Sequence, residues 1–269
     1  MPHTERHVRM LQQMGLRVWG APADTPPAAP AAAEAAPGPA RVRAVQADSP
    51  VTPAPAQRMA AQPAPLGDER GRAIAGLDWP ALRQAVAECR ACGLCESRQQ
   101  TVFGTGHAQA HWMVVGEAPG EQEDRQGEPF VGAAGQLLDR MLAALSLTRE
   151  VEGPQPPSQR VYIANTLKCR PPRNRNPAPE EMQRCEPFLV RQVELLRPRL
   201  ILAMGRFAVQ VLLRTDEPIG RLRGRVHHYQ DVPLVVTYHP AYLLRNLPDK
   251  ARAWEDLCLA ARVAEQAGP

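Results

Sequence analysis

Five of the six cysteines fall into two groups. Cys89-x2-Cys92 is followed by Cys95 a further x2 step on, and Cys169 is paired with Cys185 across fifteen intervening residues. A C-x2-C turn aims two thiolates at one ion or cluster, and a second pair from a distant segment completes four ligands. Four thiolates suit zinc and a 4Fe–4S cluster alike, and softness does not choose between them. Several buried thiols without metal are the plain alternative. Cys95 is ambiguous in this pattern, and Cys258, alone near the C-terminus, reads as core. Cys169 lies within 165-NTLKCRPPRNRNP-177, a stretch with four basic residues, three asparagines and three prolines. Positive charge there either activates a thiolate or offsets the charge of a metal-bound one; Lys168 and Arg170 could equally face phosphates. Two more polar segments invite chemistry: 116-GEAPGEQEDRQGEPF-130, rich in carboxylates, and 239-HPAYLLRN-246, headed by a histidine.

The elements around these segments alternate. Residues 79–89, 133–145, 179–196, 206–213 and 249–266 carry helical apolar spacing, with Pro80 and Pro179 in first turns. Apolar runs at 111–120, 160–166, 199–205 and 233–240 read as strands. Strands alternating with helices predict an α/β fold, a three-layer α/β/α sandwich around a central four-stranded parallel sheet. Ligands of such sheets bind beyond the carboxyl ends of the strands. The Gly-, Pro- and Asn-rich segments follow the first, second and fourth strands, so they converge on one edge.

The predicted domain spans 77–269. Residues 21–76 hold eleven prolines and no Phe, Trp or Tyr, which predicts a disordered linker. Residues 1–20 contain the apolar island 8-VRMLQQMGLRVW-19. It reads either as a terminal helix packing back on the domain or as a short docking peptide for a replication or repair protein. It is weakly similar to the clamp-loader-docking peptide of the polymerase III psi subunit. No apolar run reaches the roughly 20 residues of a membrane span, and the N-terminus lacks a signal-peptide core. A cytoplasmic location is expected. Net charge is +4, and all but two of the basic residues are arginine. Composition alone therefore says nothing about nucleic acid; placement must.

Three segments together, 116-GEAPGEQEDRQGEPFVGAAGQLLDRML-142, 165-NTLKCRPPRNRNP-177 and 239-HPAYLLRN-246, resemble the motifs of family 4 uracil-DNA glycosylases. The cysteine spacing is similar as well, and the likeness runs from about residue 79 to 265. The resemblance implies a base excision repair enzyme that flips uracil out of DNA and hydrolyses its N-glycosidic bond, leaving an abasic site. It implies a 4Fe–4S cluster on Cys89, Cys92, Cys169 and Cys185, with Cys95 outside the ligand set. It also implies a monomeric, nucleoid-associated enzyme acting on uracil-containing DNA.

The implied roles have physical sense. Phe130 would stack on the flipped base. Asn165 would accept from uracil N3–H and donate to O4, a pattern cytosine reverses. His239 would donate to uracil O2 as negative charge builds there, and the backbone from Gly116 to Ala118 would contribute N–H groups. Ala118 stands where family 1 enzymes carry an aspartate, which leaves Glu117 and Glu123 as catalytic carboxylates with roles not separable in sequence. Glu121 and Asp124 read as solvated. Leu243 is the closer match to the leucine that fills the vacated stack, with Leu244 beside it. Arg245, Arg170, Arg173 and Arg175 would grip phosphate. Asn174 belongs to the site by resemblance, and to turn chemistry by itself. The alternatives are a non-turnover or covalent uracil-DNA binding protein of the same fold, a ferredoxin-like redox carrier and a nucleotide-binding module. The covalent branch carries a histidine in the loop after strand two, which 168-KCRPPRNRNPAPEE-181 lacks. A redox carrier needs no Phe130, Asn165 and His239 constellation, and 116-GEAPGEQ-122 lacks the Lys-Ser/Thr pair of a phosphate loop.

Overall fold

A computed structural model describes residues 69–267. The docking peptide expected at 1–20 and most of the expected linker lie outside the described residues. The first helix, α1 (Glu69–Ala75), falls within the 21–76 stretch and buries Ile74. It is followed by α2 (Trp79–Ala87) and α3 (Leu94–Ser97). Asp78 caps α2 by accepting from the Ala81 N–H at 2.9 Å, with Pro80 in its first turn.

The sheet contains β1 (Thr105–Gly106), β2 (Trp112–Gly116), β3 (Val161–Asn165), β4 (Leu200–Met204), β5 (Val226–Tyr229) and β6 (Val232–Thr237). Its order is β1-β3-β2-β4-β6-β5. The four expected strands are parallel neighbours, and short antiparallel strands β1 and β5 extend both edges. Both edge strands escape sequence reading because neither has an apolar run. β1 is two residues long, and β5 (VHHY) is mostly polar.

The helices α4 (Glu121–Gln126), α5 (Ala133–Ala144), α6 (Pro179–Leu196), α7 (Arg206–Leu213), α8 (Ile219–Leu222), α9 (Pro240–Leu243) and α10 (Asp249–Gln266) complete the domain. Strand side chains alternate between faces, and the core divides accordingly. Trp112, Val114, Val161, Ile163, Leu200, Leu202 and Val235 pack with α5 and α10. Met113, Val115, Tyr162, Ala164, Ile201, Ala203 and Val236 pack with α6 and α7. The central strands are buried throughout, which is why they read as continuous apolar runs. A third, smaller core joins Ile74, Leu82, Val86, Leu94 and Phe188 to Cys169 and Cys185. It pins α1, α2 and α3 beside the cysteines, against Cys185 and Phe188 of α6 and Leu167 of the loop after β3. Among the described residues no helix is long and apolar enough to cross a membrane.

Candidate active site and thiol cavity

The ends of β2 and β3 meet at Gly116 and Asn165, which are register partners. The pairing runs on beyond the strands. Thr166 N–H donates to Gly116 O at 3.0 Å, Leu167 N–H to Glu117 O at 3.1 Å, and Thr166 Oγ1 to Glu117 O at 2.6 Å. The ends of β4 and β6 are joined by Gly205 N–H donating to Thr237 O at 3.1 Å. Four strand ends thus open into one cleft, lined by Glu117, Ala118, Glu123, Phe130, Asn165, Asn174, Arg175, Arg206, Tyr238, His239, Tyr242 and Arg245.

Asn165 is 2% exposed, and its Oδ1 has no hydrogen-bond partner among the described residues. A buried polar atom without a partner is costly unless a ligand completes it. Gly116 faces it: a Cβ there would lie 2.5 Å from Asn165 Oδ1 and 2.5 Å from Phe130 Cζ. Only a residue without a side chain allows the amide and the ring to close on the same space. The Phe130 ring stacks with the His239 imidazole, centroids 5.4 Å apart and planes 30° from parallel.

His239 caps α9, its Nδ1 accepting the Ala241 N–H at 3.2 Å. Nε2 therefore carries the ring proton when the imidazole is neutral. Burial drives the His239 pKa down to about 4, so the neutral form prevails at ordinary pH. Gly205, at φ +89, lies against it; a Cβ there would come within 3.1 Å of His239 Cβ, and the backbone itself disfavours a side chain.

The geometry separates the two carboxylates. Glu123 accepts from Gly120 N–H at 3.1 Å through Oε2, and from Val131 at 3.0 Å and Gly132 at 3.1 Å through Oε1. It clips the loop that presents Phe130. Glu117 lines the cleft, and burial raises its pKa to about 7, opposed by the positive charge of Arg206. Asp124, expected in solvent, is buried and accepts from Gln99 N–H at 3.0 Å. Glu121 is exposed and pairs with Arg125.

Three expectations for the DNA face change. Leu243 is 0% exposed and sits in the core, because it ends α9 on the side packed against α5. Leu244, one residue on, is 42% exposed and replaces it as the candidate wedge. Arg170 is turned into its own loop, donating to Asn174 Oδ1 at 2.7 Å and standing 3.6 Å from Glu121. Arg175 lines the cleft but is held by Glu181 at 2.9 and 2.6 Å. Arg173 and Arg245 are exposed, and Arg245 lines the cleft. Arg173 and Asn174 both have positive φ, 55° and 54°, so the proline-rich loop turns sharply there.

Sequence reasoning missed two contributors. Arg206 follows the third predicted strand directly, at the same sheet edge, and that position was its signal. Arg149 grips the loop from behind, donating to Pro129 O at 2.8 Å and Phe130 O at 3.0 Å. Nothing in its local sequence marks it.

Cys89, Cys92, Cys95, Cys169 and Cys185 line one cavity. Burial raises the pKa values of Cys92, Cys169 and Cys185, the last to about 12, so none is a poised nucleophile. Donors nevertheless aim at the sulfurs. Arg98 reaches Cys169 Sγ at 3.1 Å, Arg70 reaches Cys89 Sγ at 3.7 Å, and Lys168 N–H reaches Cys185 Sγ at 3.3 Å. Such donors suit sulfurs that carry negative charge, as metal-bound thiolates do. Among the described residues no three His, Cys, Asp or Glu side chains close on one point tightly enough for a single metal ion. The enclosed cavity, with five cysteines and these donors around it, suits a group held by several thiolates. Lys168 is buried rather than turned to solvent, and burial draws its pKa down to about 8 against the pull of Cys185 and Cys169. Cys258 packs, half-buried, against the core.

A sequence model of the uracil DNA glycosylase superfamily matches residues 103–258. Over 167 residues the chain is 44% identical to the type-4 uracil-DNA glycosylase of Archaeoglobus fulgidus, covering 59% of this chain and 79% of that one. It is 39% identical over 184 residues to the type-4 enzyme of Saccharolobus solfataricus, covering 65% and 81%. With the type-4 enzyme of Thermotoga maritima it shares 39% identity over 173 residues, covering 64% and 85%.

Proposed function

The chain belongs to the uracil-DNA glycosylase superfamily and is a DNA-repair glycosylase, and from that premise we propose how its residues excise uracil. The observation that carries the reading is the buried, unpartnered Asn165 Oδ1 beside the Phe130 and His239 rings. Uracil N3–H meets Oδ1, and the amide N–H₂ meets O4. Cytosine would set acceptor against acceptor and donor against donor, leaving buried groups unpaired.

The base reaches this pocket only after leaving the helix. Leu244 fills the gap, while Arg245 and Arg173 hold phosphates. As the bond between C1′ and N1 breaks, its electron pair moves onto N1 and O2 of uracil. Neutral His239 donates from Nε2 to O2, aided by the backbone N–H groups of the Gly116–Ala118 loop. The sugar passes through an oxocarbenium-like state. Ionised Glu117 stabilises it and takes the proton of the water that bonds to C1′. Glu123 holds the Phe130 loop, and Arg170 with Asn174 shapes the pocket wall.

Cys89, Cys92, Cys169 and Cys185 would hold a 4Fe–4S cluster, with Arg98, Arg70 and the Lys168 N–H donating to the cysteine sulfurs. When bound, the cluster supplies iron–thiolate bonds that fasten α2 and the Cys169 loop to α6. The role is structural, since the cysteines tie segments that share only a small apolar core. The enzyme works as a cytoplasmic, nucleoid-associated monomer, and residues 1–20 serve to dock it to a replication or repair protein.

Incubation with a uracil-containing oligonucleotide, followed by alkali, tests the reading. Scission at uracil and not at cytosine is expected; intact strands would leave a non-turnover binding protein in its place. Absorbance near about 400 nm with bound iron and sulfide is expected for the cluster; stoichiometric zinc would overturn it.

A further inference from the structure

Lys168 is fully buried beside the thiols. Its ammonium donates to the Asn165 carbonyl O at 2.8 Å and to Gln192 Oε1 at 2.6 Å. Its own backbone N–H donates to Cys185 Sγ at 3.3 Å, and Cys169 follows it in the chain. One residue therefore touches the thiol cavity through its main chain and the Asn165 main chain through its side chain. Gln192 is anchored in turn, donating to Phe103 O at 2.9 Å and to Tyr162 Oη at 3.4 Å. The network is seated on α6 through Gln192, on β3 through Tyr162 and on Phe103, all buried.

We propose that Lys168 is a positioning residue for uracil recognition: it fixes the peptide of Asn165, so that the amide meets the base in one pose, and links that pose to the Cys169 and Cys185 loop. The proposal rests on the reading of Asn165 as the residue that recognises the base. Asn165 is the last residue of β3; the Thr166 N–H holds one side of the following peptide on Gly116 O, and Lys168 holds the Asn165 carbonyl on the other. The side-chain amide has to stay uncommitted to receive the base, and its Oδ1 is uncommitted. The placement of the residue must then come from its main chain. A buried ammonium with two acceptors supplies a short, directional tie. A methionine of similar length would fill the space without holding the carbonyl.

The test uses the full chain with Lys168→Met, Gln192→Met and Asn165→Ala, each assayed for iron, melting temperature, inhibition by free uracil and excision rate. Iron-loaded Lys168→Met is expected to melt near the wild type, while inhibition by uracil weakens and excision falls by up to about 100-fold, the cost of a misplaced contact. Its preference for uracil over cytosine falls too. If Lys168→Met loses iron, Gln192→Met decides, because Gln192 is not among the residues lining the thiol cavity. Iron retained with weakened uracil inhibition supports the proposal. Wild-type inhibition in either iron-loaded variant overturns it, and so does loss of iron from Gln192→Met, which would make the network purely structural. Asn165→Ala separates the two levels. If it binds uracil like the wild type, the recognition reading fails. If it fails to bind while Lys168→Met binds normally, only the role of Lys168 fails.

Discussion

Gly116 and Asn165 face each other as the last register pair of β2 and β3, and a Cβ on Gly116 would stand 2.5 Å from Asn165 Oδ1. The same Cβ would stand 2.5 Å from Phe130 Cζ. The pocket floor is thus defined by the absence of a side chain at the end of β2. Gly116→Ala must push either the amide or the ring out of place. Single-turnover excision should fall about 100-fold, with a matching loss of inhibition by free uracil. A variant that keeps both would show that the floor is not where the base lies.

Glu117 gives the rate a pH dependence. Its ionised form does the work, and burial holds its pKa at about 7. Single-turnover rate should therefore rise with pH through about 7 and level off above. Glu117→Gln should abolish the rise and reduce cleavage more than DNA binding. Arg206→Ala removes a charge that lowers this pKa, so the midpoint should move upward. The same shift acts on stability. The native state holds the Glu117 proton more tightly than the unfolded chain, so its stabilising contribution is full below about pH 4.5 and is lost as pH rises through about 7. Equal losses of binding and cleavage in Glu117→Gln would refute a chemical role.

Glu123 should behave differently, because its oxygens are occupied by three backbone N–H groups. Glu123→Ala should lower melting temperature and excision together, and leave the midpoint of the pH profile in place. Arg149→Ala, which frees the Pro129 and Phe130 carbonyls, should resemble it. A Glu123→Ala protein that melts normally and moves the pH midpoint would exchange the two roles.

His239 is neutral down to about pH 4. Its titration should therefore add no second inflection to the excision rate between mildly acidic and alkaline pH. The unfolded chain takes up this proton near pH 6.5 and the native state only near pH 4. The stability associated with His239 is accordingly lost as pH falls through that window. His239→Gln keeps a donor and should retain part of the rate, whereas His239→Leu should not. Equal rates for the two variants would remove the donor role.

Leu243 and Leu244 offer a paired test. Leu243→Ala opens a cavity in the core and should cost about 2–5 kcal/mol of stability in chemical denaturation. Leu244→Ala should melt like the wild type but excise paired uracil more slowly than single-stranded uracil, since only a duplex has a stack to fill. The reverse pattern would restore Leu243 as the wedge.

Much of this molecule was legible in one sequence. The buried strands read as apolar runs and the helices as 3.6-residue stripes, because burial on both sheet faces leaves no polar positions to confuse the pattern. The cysteine spacing marked the thiol cavity, and the segments at 116, 165 and 239 marked the cleft, because parallel strands deliver their ends to one edge. What stayed hidden was direction and partnership. Leu243 and Leu244 are chemically the same residue, and only the turn of α9 against α5 decides which is buried. Glu117 and Glu123 are likewise equivalent until the fold brings the Val131 and Gly132 N–H groups to one of them. Arg170 and Lys168 could have faced phosphates or offset the charge of metal-bound thiols. Tertiary contact turned one onto Asn174 and the other inward to the Asn165 carbonyl. Residue type and periodicity determine which segments fold together; the fate of each polar atom depends on long-range neighbours, and those exist only once the sheet is assembled.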